Sequence, residues 1–166
     1  LNKDNTGCLY MYGFNLTAIP NYIVLERIDC DLTSFLSNRL STDNRRDLIK
    51  KIIVAFQNLK NLGVVHLDVK PQNIGINSDE YQNNTIKILD LDSACIVSNN
   101  SLYPHQNGNL KYTDDWTSPE IYNGKGGELQ TAYSMDIFCL GLIGNLLFSD
   151  NLTENKTNFN STELFQ

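Results

Sequence analysis

The stretch VVHLDVKPQNIGIN, residues 64–77, constrains this chain more than any other feature. Two short apolar runs, VVHL (64–67) and NIGIN (73–77), read as strands, and between them stand His66, Asp68, Lys70, Pro71 and Asn73. A connection that only had to reverse the chain would use Gly, Asn or Ser. An aspartate, a lysine two residues on and an asparagine three further read as a site. The run TIKILDLD (85–92) is a third strand and ends in Asp90 and Asp92. Strands returning side by side bring Asn73 and Asp90 together as two oxygen donors, a set that suits Mg²⁺ with water and phosphate completing its shell. Lys70 adds a point charge for a phosphate. Asp68 is left to accept the proton of an attacking hydroxyl.

The rest of the chain supplies a frame for that loop. At 166 residues, 41% hydrophobic and 10% aromatic, it is long enough and apolar enough for one domain with a core. CLYMYGF (8–14) and YIVLERI (22–28) read as strands, and DLTSFLSNRL (31–40) as a short helix. Ser41, Thr42 and Asp43 offer N-caps for a long helix from Asp43 to Leu62. Its apolar face is Ile49, Ile52, Ile53, Phe56 and Leu59, and Gly63 marks its stop. Ser93 to Tyr133 is rich in Asn, Gly, Pro and Asp and reads as one long irregular loop. AYSMDIFCLGLIGNLLF (132–148) is apolar nearly all round, which predicts a buried helix.

Several classes are disfavoured by composition. The net charge of -6 arises from 19 acids and 13 bases scattered along the chain, with no basic stripe, so nucleic acid is not an expected partner. The best apolar run, FCLGLIGNLLF (138–148), is too short for a membrane span, and a cytoplasmic location is the default expectation. Cys8, Cys30, Cys95 and Cys139 stand far apart with no C-x-x-C pair and read as isolated thiols. The six N-x-[ST] triplets follow from 22 asparagines and carry no argument for secretion.

HLDVKPQN resembles the H-R-D-x-K-P-x-N catalytic loop of eukaryotic protein kinases, and KILDLD (87–92) resembles the strand entering their D-F-G motif. DWTSPE (115–120) looks like the A-P-E segment, and SMDIFCLGLIGNLLF (134–148) is similar to the D-x-W-x-x-G helix. YIVLERIDCDLTSFL (22–36) looks like the last small-lobe strand, the hinge and the first large-lobe helix. The resemblance implies an α+β fold: a kinase-like large lobe, mostly helical, with short hairpin strands around the catalytic loop and the small lobe largely missing. Residues 1–150 would be the partial kinase domain, and 151–166 a polar Asn/Thr-rich surface segment.

It also implies ATP and Mg²⁺ as cofactors, a protein substrate, and transfer to serine or threonine, since lysine follows the aspartate by two. Asp68 would be the catalytic base and Lys70 would contact the γ-phosphate, with Asn73 and Asp90 holding Mg²⁺. Leu25 falls at the gatekeeper position, the backbones of Glu26 and Ile28 would meet adenine, and Asp31 would serve ribose or substrate. Asp136 would brace the catalytic loop through backbone N–H groups. His66 and Pro71 would be packing and turn residues.

Departures from the family pattern set an alternative beside the enzyme. Leu67 stands in place of the H-R-D arginine, and Leu91-Asp92 in place of Phe-Gly. Gly75 stands where a larger apolar residue is usual under adenine. No glycine-rich loop or V-A-I-K lysine precedes Tyr22. The alternative is a pseudokinase or truncated kinase-like scaffold that binds partners without catalysis.

Overall fold

The computed structural model describes residues 7–37, 40–78, 83–98, 101–104, 113–119 and 129–149. In chain order these form β1 (Met11–Asn15), β2 (Tyr22–Leu25), β3 (Cys30–Asp31), α1 (Leu32–Phe35) and α2 (Thr42–Asn61). Then follow β4 (Val64–Val65), a 3-10 turn at Pro71–Asn73, β5 (Ile74–Ser78), β6 (Asn84–Ile88), β7 (Cys95–Ser98), β8 (Ser101–Pro104) and α3 (Leu129–Phe148). The stretch 151–166 and Glu120 lie outside the described residues.

The long helix forms where its sequence predicts. Ser41 caps α2, its hydroxyl accepting the Asn44 N–H at 3.2 Å, with Asp43 in the first turn and Lys60 in the last, each complementing the helix dipole. Gly63 ends it at φ 73°, a left-handed angle that glycine adopts without steric cost. The buried stripe is Leu48, Ile52, Ala55, Phe56 and Leu59; Ile53, expected inside, is 48% exposed. Ile53 lies one residue round from Ile52, about 100° off the centre of that stripe.

The strands form three small antiparallel sheets, β1-β2, β3-β5-β6 and β4-β7-β8, of which the second and third pack on this helix through β6 and β4. Short strands thus lie beside two twenty-residue helices, as expected of a kinase-like lobe. The hairpin of β7 and β8 lies inside the segment read as one irregular loop, where Cys95-Ile96-Val97 supplies β-branched residues but a four-residue strand gives too little alternation to see. The strand predicted at VVHL stops after Val65, because Leu67 turns into the left-handed region at φ 66°. The strand predicted over 85–92 ends at Ile88, and Asp90 is left-handed at φ 54°. YIVLERI pairs only as far as Leu25, and DLTSFLSNRL is helical only over Leu32–Phe35.

The core lies between α2, α3 and the β5-β6 hairpin. Leu32, Ile52, Phe56, Leu59, Ile74, Ile76, Ile86, Ile88, Trp116, Leu142, Ile143 and Leu147 are buried in it. Each such side chain contributes about 1.5–3 kcal/mol on leaving water. Arg45 on α2 donates to the Leu147 carbonyl at 2.9 Å and ties the two long helices end to end. The helix α3 is not buried all round: Ile137 and Phe148 are 61% and 43% exposed, on a stripe with Ser134, Gly141 and Asn145. A smaller cluster of Val65, Leu67, Cys95 and Met135 sits under the loop that follows β4. The β1-β2 ribbon is apolar and largely uncovered, with Tyr12, Phe14, Leu16, Ile19 and Ile23 exposed, and the sequence carries no charge from residue 5 to 25. No helix among the described residues is long and apolar enough to cross a membrane.

Candidate active site

The loop between β4 and β5 is held by one buried carboxylate from α3. Asp136 accepts the His66 N–H on Oδ2 at 2.8 Å and the Leu67 N–H on Oδ1 at 2.9 Å. Those two donors would otherwise be buried without partners. Burial pushes the Asp136 carboxyl up, against the two N–H groups that favour its charged form. Leu67, in the left-handed region, is anchored in the smaller cluster with Met135 and Cys95. His66 is fully buried; its Nδ1 accepts the Asp68 N–H at 3.2 Å, so the ring proton sits on Nε2 and donates to the Leu89 carbonyl at 2.9 Å. His66 therefore links the Asp68 loop to the residue before Asp90.

The next turn aims the polar side chains. Pro71 opens the 3-10 turn, where its fixed φ suits the geometry and its missing N–H costs nothing. Asn73 closes it, donating its N–H to the Lys70 carbonyl at 3.0 Å. The Asn73 side-chain amide donates to the Asp68 carbonyl at 2.9 Å and to Asp68 Oδ2 at 3.1 Å. Lys70 Nζ lies 2.6 Å from Asp68 Oδ2. Thr113 completes the group: its hydroxyl accepts from Lys70 Nζ at 2.9 Å and donates to Asp68 Oδ1 at 2.8 Å.

Both oxygens of Asp68 are thus engaged, and its side chain is 11% exposed. Burial alone would raise its pKa. The bonds from Lys70 and Thr113, the Lys70 charge and the Asn73 amide outweigh that, and the carboxyl ends below the ordinary range. It is ionised at neutral pH, as a proton acceptor must be.

Asp68, Lys70 and Asn73, all expected from the sequence, form one hydrogen-bonded group. Asp90 follows Leu89, whose N–H donates to the Asn73 carbonyl at 2.9 Å, so the two expected metal ligands stand at the same end of the β5-β6 hairpin, Asn73 just before β5 and Asp90 just beyond β6. The Asp90 side chain is exposed, and its Oδ1 accepts the Asp92 N–H at 3.3 Å. The side-chain oxygen of Asn73 accepts no hydrogen bond from the described residues. A neutral amide oxygen and an exposed carboxylate suit a hard divalent cation that brings its own water and phosphate. Among the described residues no group of three or more His, Cys, Asp or Glu side chains is arranged to hold a metal.

The remaining expected residues lie between the end of β2 and β3. Leu25 ends β2 and is 45% exposed. Ile28 reaches across to β5: a Cβ placed on Gly75 would come within 2.9 Å of Ile28 Cγ2 and 3.0 Å of Leu89 Cδ2. Ile28 and Leu89 thus occupy the space over Gly75, next to Asn73 and Asp90. Glu26 pairs with Lys87 at 2.8 Å. Asp31 caps α1, accepting the Ser34 N–H at 2.7 Å.

Sequence reasoning missed Thr113 and the Lys87–Glu26 pair. The faint signals were the placement of Thr113 just ahead of DWTSPE, and a lysine between Ile86 and Ile88 in an alternating strand.

The sequence profile described as protein kinase domain matches residues 8–165. The chain is 29% identical over 148 residues to the probable serine/threonine-protein kinase fnkE of Dictyostelium discoideum, covering 84% of this chain and 10% of that protein. It is 27% identical over 143 residues to the serine/threonine-protein kinase US3 of human herpesvirus 1, covering 84% of this chain and 28% of that one. The chain therefore spans only a minor part of these relatives. In fold it is similar to a chain of the yeast RNA Pol II CTD kinase CTDK-1 complex, with a TM-score of 0.72 at 22% identity, covering 93% of this chain and 46% of that chain. A loop braced by the buried Asp136 of α3 and a profile match over nearly the whole length agree: the chain belongs to the eukaryotic protein kinase family.

Proposed function

We propose that this chain carries the catalytic face of a serine/threonine protein kinase that transfers phosphate from Mg-ATP to a protein hydroxyl as part of a longer protein. The observation that carries the reading is the group of Asp68, Lys70, Thr113 and Asn73, in which an ionised carboxylate is held at both oxygens beside a shielded ammonium. Asp68 orients the acceptor hydroxyl and takes its proton. Lys70 has three N–H donors, two of them directed at Asp68 and Thr113; the third is available to a phosphate oxygen.

Asn73 and Asp90 would hold Mg²⁺, which when bound neutralises charge on the phosphates. Glu26 and Ile28 offer backbone groups to adenine, Leu25 stands at the edge of the base site, and Asp31 serves ribose or substrate with the oxygen not used in capping. In this reading residues 1–150 would form the kinase portion and the polar, Asn/Thr-rich 151–166 would follow it. The uncovered apolar β1-β2 ribbon supports placement within a longer kinase.

One observation favours a second reading, a pseudokinase that binds partners without transfer: Asp92 stands beside Asp90 and its N–H draws on an oxygen meant for the metal. The two readings part in a single experiment on the longer protein. Asp68→Asn lowers single-turnover transfer to a generic protein substrate by about 10²–10⁴-fold while leaving Mg-ADP affinity, read by calorimetry, nearly unchanged. A wild-type protein that neither binds Mg-ATP nor transfers phosphate refutes the enzyme and leaves the scaffold.

A further inference from the structure

The segment that leaves β2 and enters β3, residues 26–29, is fastened to the β5-β6 hairpin on both sides. On β6, Ile86 and Ile88 face the core and Lys87 faces the other way, toward this segment. Its Nζ meets Glu26 Oε1 at 2.8 Å, and the same oxygen accepts the Tyr10 N–H at 2.6 Å. On β5, Asn77 Oδ1 accepts the Asp29 N–H at 2.8 Å and Asn77 Nδ2 donates to the Arg27 carbonyl at 3.1 Å. Between these clamps the Ile28 side chain lies over Gly75.

Two facts make the clamp more than ordinary packing. Among the described ion pairs, the side chains of Arg27–Asp29, Arg46–Asp43 and Lys51–Asp47 are 34% to 90% exposed, whereas Lys87 and Glu26 are 12% and 18% exposed, matched only by Lys70–Asp68. A shielded pair gives up most of its hydration and is a poor source of net stability, so it earns its place by holding a geometry. The geometry held is a backbone with open groups. The N–H of Glu26, the carbonyl of Arg27 and the N–H of Asp29 are all bonded within the protein, while the N–H and carbonyl of Ile28 take no partner among the described residues.

We infer that Lys87 is a positioning residue for the nucleotide base: paired with Glu26, it fixes the 26–28 backbone so that the open N–H and carbonyl of Ile28 are held at a set distance from the Asn73 and Asp90 end of the hairpin. The inference rests on the proposed reading, in which this backbone meets adenine, and adds the residue that holds it in register. Lys87 itself touches neither base nor phosphate in this arrangement. It acts through Glu26.

The test uses the longer protein and three proteins: wild type, Lys87→Met, which keeps the apolar stem, and Lys87→Arg, which keeps the charge. Two probes are titrated by calorimetry, Mg-ADP and magnesium pyrophosphate, which lacks a base. Lys87→Met weakens Mg-ADP binding roughly three- to tenfold, leaves magnesium pyrophosphate unchanged, and speeds amide exchange at residues 26–29 in the nucleotide-free protein. Lys87→Arg restores wild-type values on all three. Equal weakening of both probes shows Lys87 acting on the fold at large and overturns the inference. So does a Lys87→Met protein that binds Mg-ADP and exchanges its amides like wild type. A wild type that binds no adenine nucleotide brings down the proposed function and this inference together, an outcome distinct from the other two.

Discussion

Replacing Asp136 tests whether the loop that carries Asp68 is imposed by α3 or stands by itself. Asp136→Ala removes both acceptors of the His66 and Leu67 N–H groups, each now within 2.9 Å of a carboxylate oxygen. A buried donor left without a partner costs about 1–3 kcal/mol, and two of them set the upper limit of the loss. Some is recovered, because Leu67, freed at φ 66°, can relax out of a left-handed conformation that costs about 1–2 kcal/mol for a residue with a Cβ. The expected net loss is about 2–4 kcal/mol, a large share of the 5–15 kcal/mol that holds a typical domain together. Asp136→Asn keeps one acceptor and sheds the cost of burying a charge, so it falls between wild type and alanine. The assay is urea unfolding followed by the fluorescence of Trp116, the chain's single tryptophan, which is buried in the main core. Native-state amide exchange at His66 and Leu67 is read alongside. A loss below about 0.5 kcal/mol for Asp136→Ala, or unaltered exchange at both amides, refutes the brace.

Two further outcomes follow from the site. Thr113→Val removes the donor to Asp68 Oδ1 and the acceptor for Lys70 at nearly constant volume; single-turnover transfer by the longer protein falls about 10–100-fold and Thr113→Ser recovers it, whereas an unchanged rate makes the hydroxyl a bystander. The Asp68 carboxyl, pushed up by burial but held lower still by Lys70, Thr113 and Asn73, has a pKa below its unfolded value; its contribution to stability is therefore complete above about pH 4 and is lost as pH falls through the lowered pKa. The gap in melting temperature between wild type and Asp68→Asn shrinks on acidification below that point, and a gap that stays constant or widens contradicts the assignment.

What the sequence made legible was whatever rested on near neighbours in the chain. Asp68, Lys70 and Asn73 fall within six residues, and a Pro-led turn leaves them few ways to point except together. The cap, face and stop of α2 follow from local chemistry, with Ile53 alone of the expected face exposed. The bracing aspartate was legible as well, but only through resemblance, since nothing in residues 134–148 alone says that a carboxylate reaches 70 residues back. What stayed hidden was closed across long loops. Thr113 meets Asp68 from 45 residues away, out of a stretch without periodicity. Lys87 and Glu26 are each unremarkable surface residues until the β1-β2 ribbon and β6 are brought together. The two-residue β4 and the four-residue strands of the β7-β8 hairpin are too short for alternation to register.

The left-handed turn at Leu67 ties the loop that carries Asp68 to a side cluster of Val65, Cys95 and Met135. Met135 and Cys95 pack with Leu67 in that cluster, and neither is a member of the hydrogen-bonded group of Asp68, Lys70, Thr113 and Asn73. A library of variants scored separately for abundance and for turnover would divide there: Leu142 or Ile143 to alanine would act through the main core and abundance, whereas a volume-conserving change such as Met135→Leu would shift the support of Leu67 and the aim of Asp68. On an activity map Met135 would carry the signature of a catalytic residue, and on an abundance map that of a tolerant one. The disagreement between the two maps, more than either alone, would trace how far the machinery extends beneath the loop.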